Sequence, residues 1–157
     1  MSKYELNYYF FSQINNDQLV KLNQFIKSFN FFKSPYVSLE YIDIIDNNFK
    51  YQNYSLIIQD SSENIVGFIA QWLIKKNLTS VPWRDRGGPL YINDEVLKYI
   101  IDLNKDIIKK NKKINSFYWK DFDTEYLKHI KYFVNLSLKK QFNSKKYFQN
   151  LKPRLKN

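Results

Sequence analysis

Hydrophobic and polar positions alternate with changing period along the chain, and each change marks an element. Residues 3–12 are dominated by aromatic side chains with no helix cap before them, and they predict a first strand. From Asn15 or Asn16 the period lengthens. Leu19, Leu22, Ile26 and Phe29 recur at three and four residues, predicting a capped helix that ends near Asn30. Ser34-Pro35 restarts a helix, with the serine as cap and the proline at the first helical position, and Leu39, Ile42 and Ile45 form its buried side. Residues 51–59 and 65–75 predict two strands around the polar turn from Asp60 to Asn64. A short turn at Lys76-Asn77 leads into a third strand, Leu78 to Val81. Past a glycine loop, Asn93 or Asp94 caps a long helix reaching about Asn111, with Val96, Leu97, Ile100, Ile101, Leu103, Ile107 and Ile108 apolar. Residues 116–119 and 132–136 predict two further strands, and residues 145–157 another helix start.

The loop between the third strand and the long helix concentrates chemistry. Two of the three glycines, two of the three arginines and two of the four prolines lie between Leu78 and Asp94. Arg84 and Arg86 can fork onto phosphate or carboxylate oxygens, and Gly87-Gly88 lets backbone N–H groups approach a ligand, so the loop is a candidate anion site. Asp85, between two cations, suits an orienting partner better than a general base, because those charges hold its pKa down. The plainer alternative is a Gly-Gly-Pro turn beside a self-neutralised Arg-Asp-Arg surface. Trp83, Trp119 and Tyr36 are candidates for stacking on a ligand or for packing.

Composition narrows the class. A chain of 157 residues, 44% hydrophobic and 18% aromatic, suits one folded domain rather than a disordered segment. The absence of cysteine removes disulfides and thiol catalysis, and His129, the only histidine, excludes a multi-histidine metal site within the chain. No stretch has the length of a membrane span and the N-terminus lacks a signal peptide's apolar core, so a cytoplasmic location is expected. The net charge of +10 is uneven: residues 1–100 carry ten basic and ten acidic residues, and residues 101–157 carry fifteen against five. A basic second part could meet RNA, anionic lipid or a phosphorylated substrate, although abundant Asn, Ile, Tyr, Phe and Lys together also mark an A/T-biased coding sequence.

The element order resembles the GNAT acyltransferase fold: strand, two helices, antiparallel strands, glycine loop, helix, strand. Arg84 and Gly87 match the acetyl-CoA loop of that family, but Pro89 stands where an N–H should face a phosphate, which departs from ordinary CoA binding. The chain is more similar to the FemAB-like branch, which includes aminoacyl transferases of peptidoglycan bridges and is built from two GNAT-like halves. The likeness rests on Ser34-Pro35-Tyr36, Val66-Gly67, and Pro82-Trp83-Arg84-Asp85-Arg86-Gly87-Gly88-Pro89-Leu90, followed by the long helix and the segment from Phe133 to Asn157.

The resemblance implies an α+β fold with a GNAT-like mixed, mostly antiparallel sheet flanked by helices. It implies an acceptor-side domain over residues 1–130, with residues 131–157 leading towards a second half that this chain lacks. Trp83, Arg84, Asp85, Arg86, Gly87, Gly88 and Tyr36 would bind an anionic acceptor, such as a peptidoglycan precursor or a sugar. Catalytic residues are expected outside the chain, no cofactor is assigned to it, and the acyl donor, aminoacyl-tRNA or acyl-CoA, would sit on the second half, present in cis or in trans. A tRNA could reach the basic C-terminal part. Two other readings stay open, a non-catalytic ligand-binding module using the same loop and a basic RNA-binding domain.

Overall fold

A computed structural model of the chain describes residues 5–29, 38–80, 82, 87–119 and 134–135. Among these residues the order is β1 (Asn7–Phe10), a 3-10 turn (Phe11–Gln13), α1 (Asn16–Ser28), α2 (Leu39–Asn48), β2 (Gln52–Asn53), β3 (Leu56–Gln59), β4 (Ile65–Ile69), β5 (Gln71–Ile74), β6 (Asn77–Ser80), β7 (Leu90–Tyr91), α3 (Asp94–Lys110), β8 (Ser116–Tyr118) and β9 (Val134–Asn135). The fold is α+β, with the nine described strands joined through mostly antiparallel pairs in one four-stranded and one five-stranded sheet. No described helix is long and apolar enough to cross a membrane.

The two strands expected over residues 51–59 and 65–75 form one long hairpin in a single register. Gln52 and Asn53 face Leu73 and Trp72, and Leu56, Ile57 and Ile58 continue the same count against Ile69, Phe68 and Gly67. Each strand breaks once, so the hairpin contributes to two ladders. Its half next to the turn pairs with β1 and β7, in the order β1-β3-β4-β7, while the other half joins β2-β5-β6-β8-β9. The single sheet expected from the sequence is therefore divided where a polar residue, Ser55, interrupts the apolar run. Its hydroxyl accepts from the Gln71 N–H at 3.1 Å, replacing a ladder bond.

Both faces of the hairpin are covered. Ile57, Phe68, Ala70 and Trp72 pack with Leu22 and Ile26 of α1 and with Ile42 and Ile45 of α2. Leu56, Ile58, Ile69, Leu78 and Phe117 pack with Val96, Leu97, Ile100, Ile101 and Ile108 of α3. Two-sided burial explains why β3 and β4 read as continuous apolar runs rather than alternating ones. Trp119, a stacking candidate by sequence, belongs to the α3-side core, its ring 4.6 Å from that of Phe117.

Helix boundaries follow side-chain caps. Asn15 accepts from Gln18 N–H and Gln18 returns the bond to Asn15 N–H, a reciprocal pair that fixes the start of α1. Asn93 accepts from Val96 N–H and starts α3. The helix of Ile42 and Ile45 begins later than Ser34-Pro35 suggested, because Ser38 accepts from Tyr41 N–H and caps α2 at Leu39. Ser34, Pro35 and Tyr36 lie outside the described residues.

On the opposite helix layer, α3 approaches the sheet closely at Gly67. A Cβ there would lie 2.6 Å from Val96 Cγ1, 3.1 Å from Ile58 Cγ1 and 3.3 Å from Ile100 Cδ1, all on buried side chains. We expect Gly67→Ala to destabilise the fold by about 1–3 kcal/mol through overpacking, read as a lower urea midpoint with an unchanged denaturant slope.

The hairpin turn supplies a pH-dependent element. The Asp60 carboxylate accepts from the Asn64 N–H at 2.9 Å, the Asn64 side-chain amide at 3.1 Å and the Ser62 N–H at 2.9 Å, and these bonds hold its pKa below the usual aspartate value. The stabilisation is complete above the unfolded-chain value, roughly pH 4, and is lost as pH falls through the lowered folded value. The stability difference between wild type and Asp60→Asn, followed by denaturant unfolding against pH, should shrink on acidification below that range.

Candidate functional site

The loop that carries the sequence-predicted site grows out of the flank of the hairpin. β6 runs antiparallel to β5, with Leu73, Trp72 and Gln71 facing Leu78, Thr79 and Ser80. Continuing that register would place residue 83 opposite Phe68, but the observed partner is Leu90, seven positions later. β6 and β7 thus flank successive stretches of one strand, and the chain between them is longer than an uninterrupted neighbour strand needs. That surplus contains the Arg-Asp-Arg-Gly-Gly-Pro sequence.

Both ends of the loop are anchored. At its entry, the Tyr41 hydroxyl of α2 donates to the Pro82 carbonyl at 3.3 Å. Tyr41 meets Trp72 edge to face at 6.5 Å, and the Trp72 Nε1–H donates to Asp46 at 2.7 Å. The other oxygen of Asp46 accepts from Asn53 at 2.8 Å, so one carboxylate ties α2 to two strands. At the exit, Gly87, Gly88 and Pro89 are buried, Leu90 and Tyr91 pair with Phe68 and Gly67, and Ile92 N–H donates to the Val66 carbonyl. The two glycines are therefore packed into the protein at the base of the loop. Trp83, Arg84, Asp85 and Arg86 lie outside the described residues, as does Tyr36.

The strand β7 accounts for the separation between the loop and its helix. The sequence reading joined the glycine loop to the α3 cap without an intervening strand, whereas Leu90 and Tyr91 form two rungs before Asn93 caps α3. After α3 the chain returns as β8, parallel to β6, with Leu78 beside Phe117 and Thr79 beside Tyr118. Loop and helix together thus make the crossover between two parallel neighbours. Such a connection sets a loop beside the ends of adjacent strands, a placement that α/β folds use for ligands.

Beneath the loop's root lies a buried polar cluster that sequence reasoning missed. Gln71 and Asn104 are both 0% exposed. Gln71 Nε2 donates to Asn104 Oδ1 at 2.8 Å and to the Tyr54 carbonyl at 3.1 Å, and Asn104 Nδ2 donates to the Ile100 carbonyl at 2.9 Å. Two acceptors on Gln71 Nε2 fix the orientation of the amide. Its register partner across β6 is Ser80, also buried, the last residue before the loop. The available signal was a polar residue in an otherwise apolar stretch: glutamine within residues 65–74, and asparagine on the apolar stripe of α3.

Breaking one side of this pair should cost more than removing both. Asn104→Leu strands a buried Gln71 donor, and Gln71→Leu strands Asn104, each costing about 1–3 kcal/mol. The double variant should recover a large part of that loss, which a double-mutant cycle by urea denaturation measures.

Comparison of the chain with protein-family models, with curated proteins and with solved structures gave no match.

Proposed function

We propose that the chain is the acceptor-side domain of a FemAB-like acyl or aminoacyl transferase, in which Arg84 and Arg86 hold an anionic acceptor for N-acylation. The observation that carries this reading is the two-ended anchoring of residues 82–90. Tyr41 holds the entry at Pro82, the exit is locked by β7, and Gly87-Gly88 packs at the base, all within the crossover from β6 to β8. Preorganised loop ends lower the ordering cost of binding, and two guanidiniums on such a loop match the oxygens of a phosphate or carboxylate.

The chemistry of this domain would be positioning. Bringing an acceptor amine to an activated acyl group converts a bimolecular step into an effectively unimolecular one, and oriented charges accomplish that without a nucleophile on this chain. The acyl donor belongs to a second GNAT-like half, in cis or in trans, and the cytoplasm supplies the precursor and the donor together. A muropeptide precursor fits the anionic requirement, and Asp85 would orient the arginines. Trp83 and Tyr36 would offer rings to the sugar or peptide portion.

Isothermal titration with a UDP-linked muramyl pentapeptide tests the reading. Saturable binding is expected, weakened about tenfold or more by Arg84→Ala and by Arg86→Ala, since a charge-assisted pair contributes about 1.5–3 kcal/mol. Absence of binding by the wild type, or binding indifferent to both arginines, would overturn it.

A further inference from the structure

The hydrogen bonds of the polar cluster beneath the loop leave part of it unanswered. Gln71 Nε2 donates to the Tyr54 carbonyl and to Asn104 Oδ1, but Gln71 Oε1 has no hydrogen-bond partner among the described residues, and neither has Ser80 Oγ. Both residues are buried. They are register partners across β5 and β6, so their side chains leave the sheet on the same face, with Cβ atoms about 4.5–5.5 Å apart. That face is the one α3 covers, because Gln71 meets Asn104 there and the neighbouring Leu78 and Phe117 pack with α3. Continuing the parallel register of β6 and β8 by one position sets Trp119, part of the same core, on the other side of Ser80.

Two orphan oxygens side by side define what can sit between them. Gln71 Oε1 only accepts, since its amide is oriented by the two bonds it donates, whereas the Ser80 hydroxyl can donate or accept. The two do not bond to each other. Their complement is a molecule that donates to Gln71 and shares a second hydrogen bond with Ser80. It carries no charge: the buried polar side chains among the described residues are Ser55, Gln71, Ser80 and Asn104, and none of them could answer an ion. It is also small, because both oxygens are shut off from the surface beneath α3. Water meets all three conditions.

We propose that Gln71 Oε1 and Ser80 Oγ hold one internal water molecule, bound as part of the fold. Such bridges are the usual answer to buried polar atoms that protein groups leave unpaired. The water extends the hydrogen-bonded chain that runs from the Ile100 carbonyl through Asn104 and Gln71, carrying it across to Ser80, the last residue before the loop. It thereby ties α3 to the root of the loop, while Tyr41 of α2 holds Pro82 from the other helix layer. The site uses neither Arg84 nor Arg86, so it stands or falls separately from the transferase reading.

Water–protein NOE spectroscopy and magnetic relaxation dispersion of the water oxygen, both on the full chain, test it. In the wild type the Gln71 side-chain amide protons should show a cross-peak to water with the sign of a molecule that tumbles with the protein. Ser80→Val fills the site with a methyl group. It should abolish that cross-peak and lower the dispersion amplitude by the equivalent of one water per chain, a change that an exchanging hydroxyl proton cannot produce in an oxygen signal. Tyr9→Phe, which removes an orphan hydroxyl on the α1 side of the sheet, should leave the Gln71 cross-peak in place. A wild type without that cross-peak overturns the proposal even if no variant folds, and so does Ser80→Val with the amplitude of the wild type. A Ser80 hydroxyl proton that exchanges slowly and lies against Gln71 Oε1, with no water signal beside it, would overturn it as well, because the two side chains would then answer each other directly.

Discussion

The hairpin of residues 52–74 is covered on both faces, and that constraint shapes everything around it. A strand buried on one side can discard its polar residues to solvent, but β4 and the first three residues of β3 have no solvent side and carry no polar side chain. Where the run is interrupted, at Ser55 and Gln71, the polar donors are answered locally, whereas Gln71 Oε1 has no hydrogen-bond partner among the described residues. The Ser55 hydroxyl bonds to the Gln71 backbone, and the Gln71 side chain bonds to Asn104 and Tyr54. The break in the ladder, the handover of the hairpin from one sheet to the other and the polar inclusion under α3 are one feature seen three ways.

That handover also makes room for the loop. Because β4 and β5 use the same flank for two different neighbours, the connection between β6 and β7 can leave the sheet and return without abandoning the strand. The anchors at its ends come from elements that already pack for other reasons. Tyr41 lies on the core side of α2, and Gly67, which pairs with Tyr91, is small because α3 presses on it. The ends of the loop are thereby set on rigid supports at little additional cost.

Charge follows a similar logic at the far end of the sheet. Lysines at the C-terminus of α3 complement its macrodipole, which gives them a structural reason to be there. The turn at Lys75-Lys76 has no such reason, and its left-handed backbone makes lysine a strained choice. Only the pairing of β6 with β8 brings the two sets together.

The sequence by itself determined the local elements and their order. Caps to within one residue (Asn15 or Asn16, Asn93 or Asp94), the apolar stripe of α3, the polar turn at Asp60 and the α+β class are all written in short-range periodicity and side-chain chemistry, which act within a few residues; the structure selects Asn15 and Asn93. It also singled out residues 82–90 as unusual, and Gly87 and Gly88 proved to be packed rather than exposed. Tertiary structure alone decided the rest. The two-rung strand β7 is too short to carry a periodicity and exists because Phe68 and Gly67 offer it a free flank. Gln71 meets Asn104, Tyr41 meets Pro82 and Lys76 meets Asn115 across separations of 33, 41 and 39 positions. Such contacts depend on how layers stack and which strands become neighbours, a long-range property that no local window of the sequence contains.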